Sequence, residues 1–402
     1  MMSDGHTPRA GCPPIAREAV VKALILEDGA SRQALSASRA LADAGWTVGV
    51  GAMERRGMAA SSRATSDIHI VPPPERGLEA FIEGVNEAIV QKGYEVVFGA
   101  RDTEVLALSM RRDEILAIVP HPPHSRVLRA FDKVELAAAA LRAGIAVPDA
   151  RSATDEALAA VDGPVIVKAR LHVEFGDGKR PPRLDTVVAQ TPAEAVARAD
   201  EIRAAGGEPL LQEFLPGELF EIGLLADREG KVVAEVHQVA ERISPALAGV
   251  AVRARTLAPD AVLSERVAAL VTELGWWGLA EIQLLVPADG EPRLIDFNGR
   301  FYGSIALAVG AGVNLPALWA SLATGRPVET NGPAKVGVRY QWLLGDMRRC
   351  LDDEHRGRAR SLFESARYAR GAVQSVSRLS DPLPGVRQAW GALHRSARRS
   401  AA

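Results

Sequence analysis

The sequence predicts an α/β protein, and three observations carry that reading. The first 130 residues alternate continuous apolar runs with helix-period segments. The apolar strand PVIVK follows, in a segment where strands and amphipathic helices alternate less regularly. At 278–304 two alternating strands meet across a turn and lead into an apolar, small-residue helix. The expected architecture is a doubly wound parallel sheet, then a segment of mixed strands and helices, then a helical C-terminal extension.

Taken in order, VVKALIL is a continuous apolar run suited to a parallel strand buried on both faces. EDGASRQ makes a turn, and 33–45 reads as an amphipathic helix ended by Gly45. WTVGVGA and SDIHIVP are the next strands. A helix near 78–92 precedes the strand YEVVFGA, and RDTEVLALSMRRDEIL is again helical. This rhythm implies an open sheet with right-handed crossovers and ligands beyond the strand C-termini. Arg101 and Asp102 stand just past one such end, where Asp102 can contact a ligand or cap the helix. A dinucleotide site would need GxGxxG after the first strand. Glu27-Asp28-Gly29-Ala30-Ser31 has one glycine and two acids, which argues against NAD or FAD.

Asp132-Lys133 opens an amphipathic helix that stops at Gly144, with Val147-Pro148 beyond it. A cation is disfavoured at the positive end of a helix, so Lys133 there asks for a reason. Lys168 ends the strand Pro164-Val165-Ile166-Val167, and a lysine on so apolar a strand must snorkel or meet an anion. The segment after it, with Gly176, Gly178 and Lys179, suits a loop that closes over phosphates. Leu210-Leu211-Gln212-Glu213 ends a strand, and Phe214-Leu215 begins a linker. REGKVVAEVHQVAERI is a strand, SPALAGVAVRARTLAPD reads as a loop, and LSERVAALVTELGWW as an amphipathic helix. His237, Arg242, Arg253 and Arg255 together suggest an anionic substrate.

The most informative stretch is GLAEIQLLVPADGEPRLIDFNGRFYGS. PADGEP carries hairpin chemistry between its two strands. Alternation puts Leu294, Asp296 and Asn298 on one face, with Ile295 and Phe297 on the other. Residues two apart on a strand stand roughly 7 Å from each other on one face. Gln283, or Glu281 two residues before it, meets Asp296 and Asn298 from the paired strand. Hard oxygen donors with Arg300 just beyond suit magnesium carrying phosphates.

This constellation resembles the ATP-grasp superfamily, closest to its carbamoyl-phosphate-synthase-like branch. The resemblance covers roughly residues 20–330, with PVIVK and the Gln283/Asp296/Asn298/Arg300 set as its strongest motifs. Aspartate stands at 296 where that branch commonly has the longer glutamate. The resemblance implies a pre-ATP-grasp domain over 20–130 and an ATP-grasp domain of two α+β subdomains over 131–330, while composition alone gives a loose tail over 1–19 and a basic, mostly helical extension over 331–402. It implies ATP with Mg²⁺ or Mn²⁺ as cofactors. Lys133 and Lys168 would bind phosphate, and Gln212, Glu213, Phe214 and Leu215 would form the hinge that reads adenine. The ribose acid is expected near Leu219, with Glu221 favoured and Glu218 adjacent. Gln283, Asp296 and Asn298 would hold the metal, with Arg300 and Lys168 catalytic. The implied activity is a carboxylate–amine ligase forming ADP and phosphate on small-molecule substrates. Carboxyphosphate chemistry is a second enzymatic reading. An ATP-binding regulatory protein without turnover is the alternative from another class.

Composition is an ordinary soluble globular balance, at 47% hydrophobic and 24% charged residues. A net charge of −2 does not suggest nucleic acid as a partner. Cys12 and Cys350 are far apart, with no CxxC, and fit a reducing cytoplasm. The polar, Pro-rich N-terminus lacks the apolar region of a signal peptide, and no 18-residue apolar window predicts a membrane span. From Gly345 onward twelve arginines face six acids, which leaves a basic surface that a partner or acidic ligand can use. A homodimer is left open.

Overall fold

The computed structural model describes residues 21–171, 186–330, 332–351 and 357–400. The glycine-bearing segment with Gly176, Gly178 and Lys179 lies outside these residues. Among the described residues no helix is long and apolar enough to cross a membrane.

The chain opens with β1 (Lys22–Leu26), α1 (Arg32–Asp43), β2 (Thr47–Ala52), β3 (Asp67–Ile70), α2 (Leu78–Lys92), β4 (Val96–Gly99) and α3 (Asp102–Met110). The four strands form a parallel sheet in the order β3-β2-β1-β4. Alternate residues of β1 feed different cores. Ala23 and Ile25 pack towards α1, while Leu24 and Leu26 meet Phe81, Ile82 and Val85 of α2. That two-sided burial explains why VVKALIL reads as an unbroken apolar run. Ser31 caps α1 by accepting from the Ala34 N–H at 3.2 Å.

Next come α4 (His124–Phe131), α5 (Lys133–Arg142), β5 (Ala150–Ser152), α6 (Asp155–Ala159), β6 (Val165–Ala169), β7 (Val187–Ala189), α7 (Pro192–Ala204) and β8 (Pro209–Glu213). The strands build a second sheet, β5-β8-β6-β7, antiparallel throughout. Val165, Val167 and Ala169 pack on Ala195, Ala199 and Ile202 of α7. Lys168, one step out of phase, therefore lies on the opposite face.

The third sheet is built from β9 (Glu218–Ala226), β10 (Val232–Ser244), β11 (Val250–Thr256), then, after α8 (Ala261–Leu274), β12 (Gly278–Val286) and β13 (Arg293–Asn298). The segment 250–256, expected as loop, is a strand. VAVRART pairs with both β10 and a later strand, and tertiary pairing overrides its weak local pattern. One face of the sheet meets α8 through Ile222, Leu224, Ala280 and Ile282. Leu225, Val236 and Leu279 on the other face share a core with the N-terminal sheet, α9 (Ile305–Gly310) and α10 (Leu315–Ala323).

The C-terminal region holds β14 (Arg339–Gln341), α11 (Leu343–Leu351), α12 (Arg358–Ala369), β15 (Val373–Gln374) and α13 (Leu383–Ser400). It is helical as expected, and it also extends the third sheet to seven strands, β13-β12-β9-β10-β11-β14-β15. Beyond β15 the chain returns to the N-terminal sheet. Asp381 ion-pairs with Arg39 of α1 at 2.9 Å and accepts from the Ser62 hydroxyl and the Arg63 N–H at 2.5 and 3.1 Å. Both side chains of the pair are less than a tenth exposed.

Removing one partner of a buried pair strands the other charge, at a typical cost of about 3–5 kcal/mol. Asp381→Ala is expected to lower unfolding stability by about that amount in a urea titration. The double variant Arg39→Met/Asp381→Leu should recover most of it. A loss below about 1 kcal/mol for Asp381→Ala would show that the C-terminal tether is dispensable.

Candidate active site

The site is assembled on β13, the edge strand of the third sheet, which the second sheet approaches through Lys168. Its floor is a row of four residues in register across four strands: Asp296 opposite Gln283, Gln283 opposite Glu221, Glu221 opposite Gln238. Two residues along, Asn298 lies opposite Glu281, which lies opposite Gly223. The expected meeting of Gln283, Asp296 and Asn298 on one face is therefore what the backbone places. The expected position of Leu294 on that face is not. The register shifts by one residue between Gln283 and Leu284, so that Ile295 is extra and Leu294 pairs with Leu284. Leu294 joins the core with Ile282 and Phe297, while Asp296 keeps its place.

Both lysines converge on this strand from other elements. Lys133, at the start of α5, ion-pairs with Asp296. Asp132 caps the helix by accepting from the Val134 and Glu135 N–H groups, and binds Arg170 Nε at 2.8 Å. Lys168 Nζ donates to Gln212 Oε1 at 2.5 Å and lies 3.5 Å from the Ile295 carbonyl oxygen. Burial pushes the Lys168 amine down to about 8, the nearby Lys133 charge adds to this, and Asp296 opposes it. Arg300 Nε donates to Asp102 Oδ1 at 2.6 Å, and its Nη2 donates to Asn298 Oδ1 at 2.8 Å. Burial works against the Arg300 charge, and the carboxylates of Asp102, Glu281 and Asp296 together more than offset it. Asp102 is thus the ion-pair partner of Arg300. Glu104, not Asp102, accepts from the Arg101 N–H at the helix start, at 2.7 Å.

Of the expected hinge, Gln212 is buried, Phe214 and Leu215 are half-buried, and Glu213 is exposed at the end of β8. Glu221, expected at the ribose, is only 3% exposed. Its carboxylate accepts from Gln238 Nε2 and, at 3.2 Å, from Gln283 Nε2, so its oxygens are engaged inside the sheet row. Glu281, weighed as an alternative to Gln283, is equally buried. It accepts from Asn298 Nδ2 at 2.9 Å, Gln283 Nε2 at 3.3 Å and the Ser304 hydroxyl at 3.4 Å. Burial raises both acids above the usual carboxylate range, and the charge of Glu221 raises Glu281 further.

The arginine group expected near a substrate is not free. Arg242 and Arg253 both pair with the fully buried Asp346 of α11, at 3.1 and 2.7 Å, and Arg255 pairs with Glu241 at 3.2 Å. Arg253 is an odd number of residues from Thr256, which is in register with Gln238, so alternation turns it to the opposite face. His237 likewise faces Glu235 and Ser264. Its neighbour Gln238 is the residue that reaches the site. Strand period places it on the face of Glu221, opposite to that of its neighbour His237. Ser304, Tyr302 and Arg32 also border the site and carry no local sequence signal. Arg32 Nη1 donates to Tyr340 Oη at 3.0 Å, and Tyr340 Oη donates to the Gly303 carbonyl at 2.9 Å.

Among the described residues no group of three or more His, Cys, Asp or Glu side chains is placed to hold a metal. The oxygen set Gln283, Asp296 and Asn298 fits a hard cation through one carboxylate and two amides. The amide nitrogen of Gln283 is turned to the acids, and Asp296 already attracts a cationic side chain.

A family model described as "ATP-grasp in the biosynthetic pathway with Ter operon" matches residues 207–345. No curated protein matches the sequence significantly. Solved structures match over most of the chain at low identity. The biotin carboxylase–βγ-ATP complex from Campylobacter jejuni aligns with a TM-score of 0.62 and 16% identity, covering 80% of this chain and 74% of that one. The biotin carboxylase domain of the Hydrogenobacter thermophilus 2-oxoglutarate carboxylase, with MgADP, ADP and bicarbonate, aligns at 0.60 and 15%, covering 79% and 73%. The L-amino acid ligase from Bacillus licheniformis aligns at 0.57 and 16%, covering 75% and 74%.

The state of Lys168 is open to test. In the folded protein it loses its proton near pH 8, whereas an unfolded lysine holds its own until about 10.4. Between those values the unfolded chain binds the extra proton, so this residue's contribution to stability rises with pH. The stability of the unmutated protein relative to Lys168→Met should climb from pH 8 to pH 10 in parallel denaturant titrations. A flat difference would mean that the amine titrates as an ordinary lysine.

Proposed function

We propose that this chain, which has the ATP-grasp fold, is an ATP-dependent ligase that activates a substrate carboxylate as an acyl phosphate for attack by an amine. The observation that carries the reading is the convergence of Lys133 and Lys168 on β13, beside Asp296 and within reach of Gln283, Asn298 and Arg300. Three cations and a hard-oxygen set around one strand are suited to a polyphosphate with its metal. The structures with βγ-ATP and with MgADP, and the family model itself, support ATP and Mg²⁺ as the cofactors.

In this reading Lys133 and Lys168 neutralise phosphate oxygens, each supplied by a different sheet or helix. The backbone of Gln212, Glu213, Phe214 and Leu215 forms the adenine hinge. Gln283, Asp296 and Asn298 hold Mg²⁺, which when bound draws charge from the phosphate oxygens. Arg300 stabilises charge that develops at the transferred phosphoryl group, and Asp102 fixes its guanidinium in place before reaction. The residues do little covalent chemistry. They position the acid in line with the phosphoryl group and stabilise charge in a site screened from water. A phosphate beside Lys168 would favour its charged form against the burial that lowers its pKa.

Mg·ATP is expected to raise the melting temperature, because a ligand bound only to the folded state stabilises it by mass action. Asp296→Asn keeps the volume but removes the only formal charge of the oxygen set. It should fold and lose ~10²–10³ in turnover, the usual effect of one transition-state electrostatic partner. Raising Mg²⁺ should partly restore Asp296→Asn and leave Lys168→Met unchanged. With the acid substrate present, hydroxylamine should trap a hydroxamate with release of ADP. Release of AMP, or undiminished turnover in Asp296→Asn, would refute the assignment.

A further inference from the structure

Glu221 and Glu281 form an unusual pair. Each is 3% exposed, and among the described residues every side chain that hydrogen-bonds to either one is neutral. Gln283 Nε2 bridges the two carboxylates. The charges of Arg300 and Arg32 reach the pair only at longer range. Two carboxylates buried side by side favour a partner that brings positive charge.

A second observation shows what kind. Gln238 Oε1 and Tyr302 Oη have no hydrogen-bond partner, although both residues are 1% exposed. Gln238 donates through Nε2 to Glu221 and to Ser304 Oγ, the latter at 2.7 Å, so its free oxygen belongs to the same cluster. Tyr302 Oη sits over Gly223, the residue opposite Glu281, where a Cβ would collide with it. Buried polar groups left unpaired call for an explanation. The open positions around the pair are oxygens of carboxylate, amide and phenol, all able to accept. A primary ammonium group has three donors and no acceptor. The N–H groups of Gln238, Gln283 and Asn298 already point at the carboxylates, which suits further N–H donors better than a bare metal ion.

We infer that Glu221 and Glu281 form the receiving site for the primary ammonium group of the amine substrate, with Gln238 Oε1 and Tyr302 Oη as additional acceptors. The inference rests on the ligase reading and adds to it where the second substrate binds and in what charge state. Glu221 is one strand from Gln283 and two from Asp296, about 10 Å across the sheet. An amine anchored there lies beside the metal set without occupying it.

The test follows the melting temperature of the full chain at constant ionic strength, with tetramethylammonium chloride as background. Methylammonium, potassium and magnesium chlorides each replace it stepwise. Methylammonium is expected to give a saturable rise of about 1–3 °C, as mass action predicts for one weak site. Potassium should match the background, and Glu281→Gln should abolish the methylammonium response. A potassium response equal to that of methylammonium, or a magnesium response removed by Glu281→Gln, would make this an inorganic cation site and overturn the inference. So would a methylammonium response that survives in Glu221→Gln/Glu281→Gln. No response in the unmutated protein, where folding of a variant is not at issue, would mean that the acids are simply held neutral. Mg·ATP is tested in the same series. If it stabilises while methylammonium does not, this inference fails alone. If Mg·ATP is silent, the ligase reading fails.

Discussion

One extra residue in β13 sets the geometry on which the site depends. Ile295 has no partner on β12, so Leu294 stays opposite Leu284 in the core while Asp296 stays opposite Gln283. Without it, either the leucine would leave the core or the aspartate would leave the oxygen row, because a one-residue slip exchanges the two faces of a strand. The same residue brings its carbonyl to 3.5 Å from Lys168 Nζ. Bulges occur near active sites for this reason: they re-aim side chains without breaking the sheet.

Lys168 comes from a sheet with its own core, whereas α5, which carries Lys133, packs in the core that β13 shares. Lys168 is anchored by the second sheet, Lys133 by α5, and Arg300 by Asp102 of the N-terminal layer. Charge pairing across layers makes the site sensitive to how those layers sit, since Arg300 holds Asn298 and Asp102 together. The C-terminal region contributes to the same frame. It adds β14 and β15 to the sheet edge, and Asp346 neutralises Arg242 and Arg253 on the far face. Both arginines are held there by one buried carboxylate, which also accepts from Gln341 and Ser365.

The acids divide by environment. Asp296 is a fifth exposed and meets a lysine, whereas Glu221 and Glu281 are enclosed among amides and hydroxyls. Carboxylates on three neighbouring strands thus differ in environment according to the cation each can reach. The sheet row supplies the spacing and the surrounding layers supply the dielectric.

The sequence alone determined the α/β class, the parallel N-terminal sheet and the strands that carry Lys168 and Asp296. Those features are local: apolar runs buried on two faces, period-two alternation and a hairpin turn leave their marks within a few residues. It also determined which residue types could meet, since Gln283, Asp296 and Asn298 share a face by alternation. Only the tertiary structure decided the rest. The bulge at Ile295 arises from packing of Leu294, which alternation does not show. The strand at 250–256 exists because neighbours on both sides pair with it. Asp346 reaches Arg253 across 93 residues, and Asp102 reaches Arg300 across 198. Strand period offers Glu221 as the ribose acid, and its contacts inside the sheet are what the fold adds. Gln238 and Gln283 turn it to the interior, and a long-range contact of that kind has no local signature in the sequence.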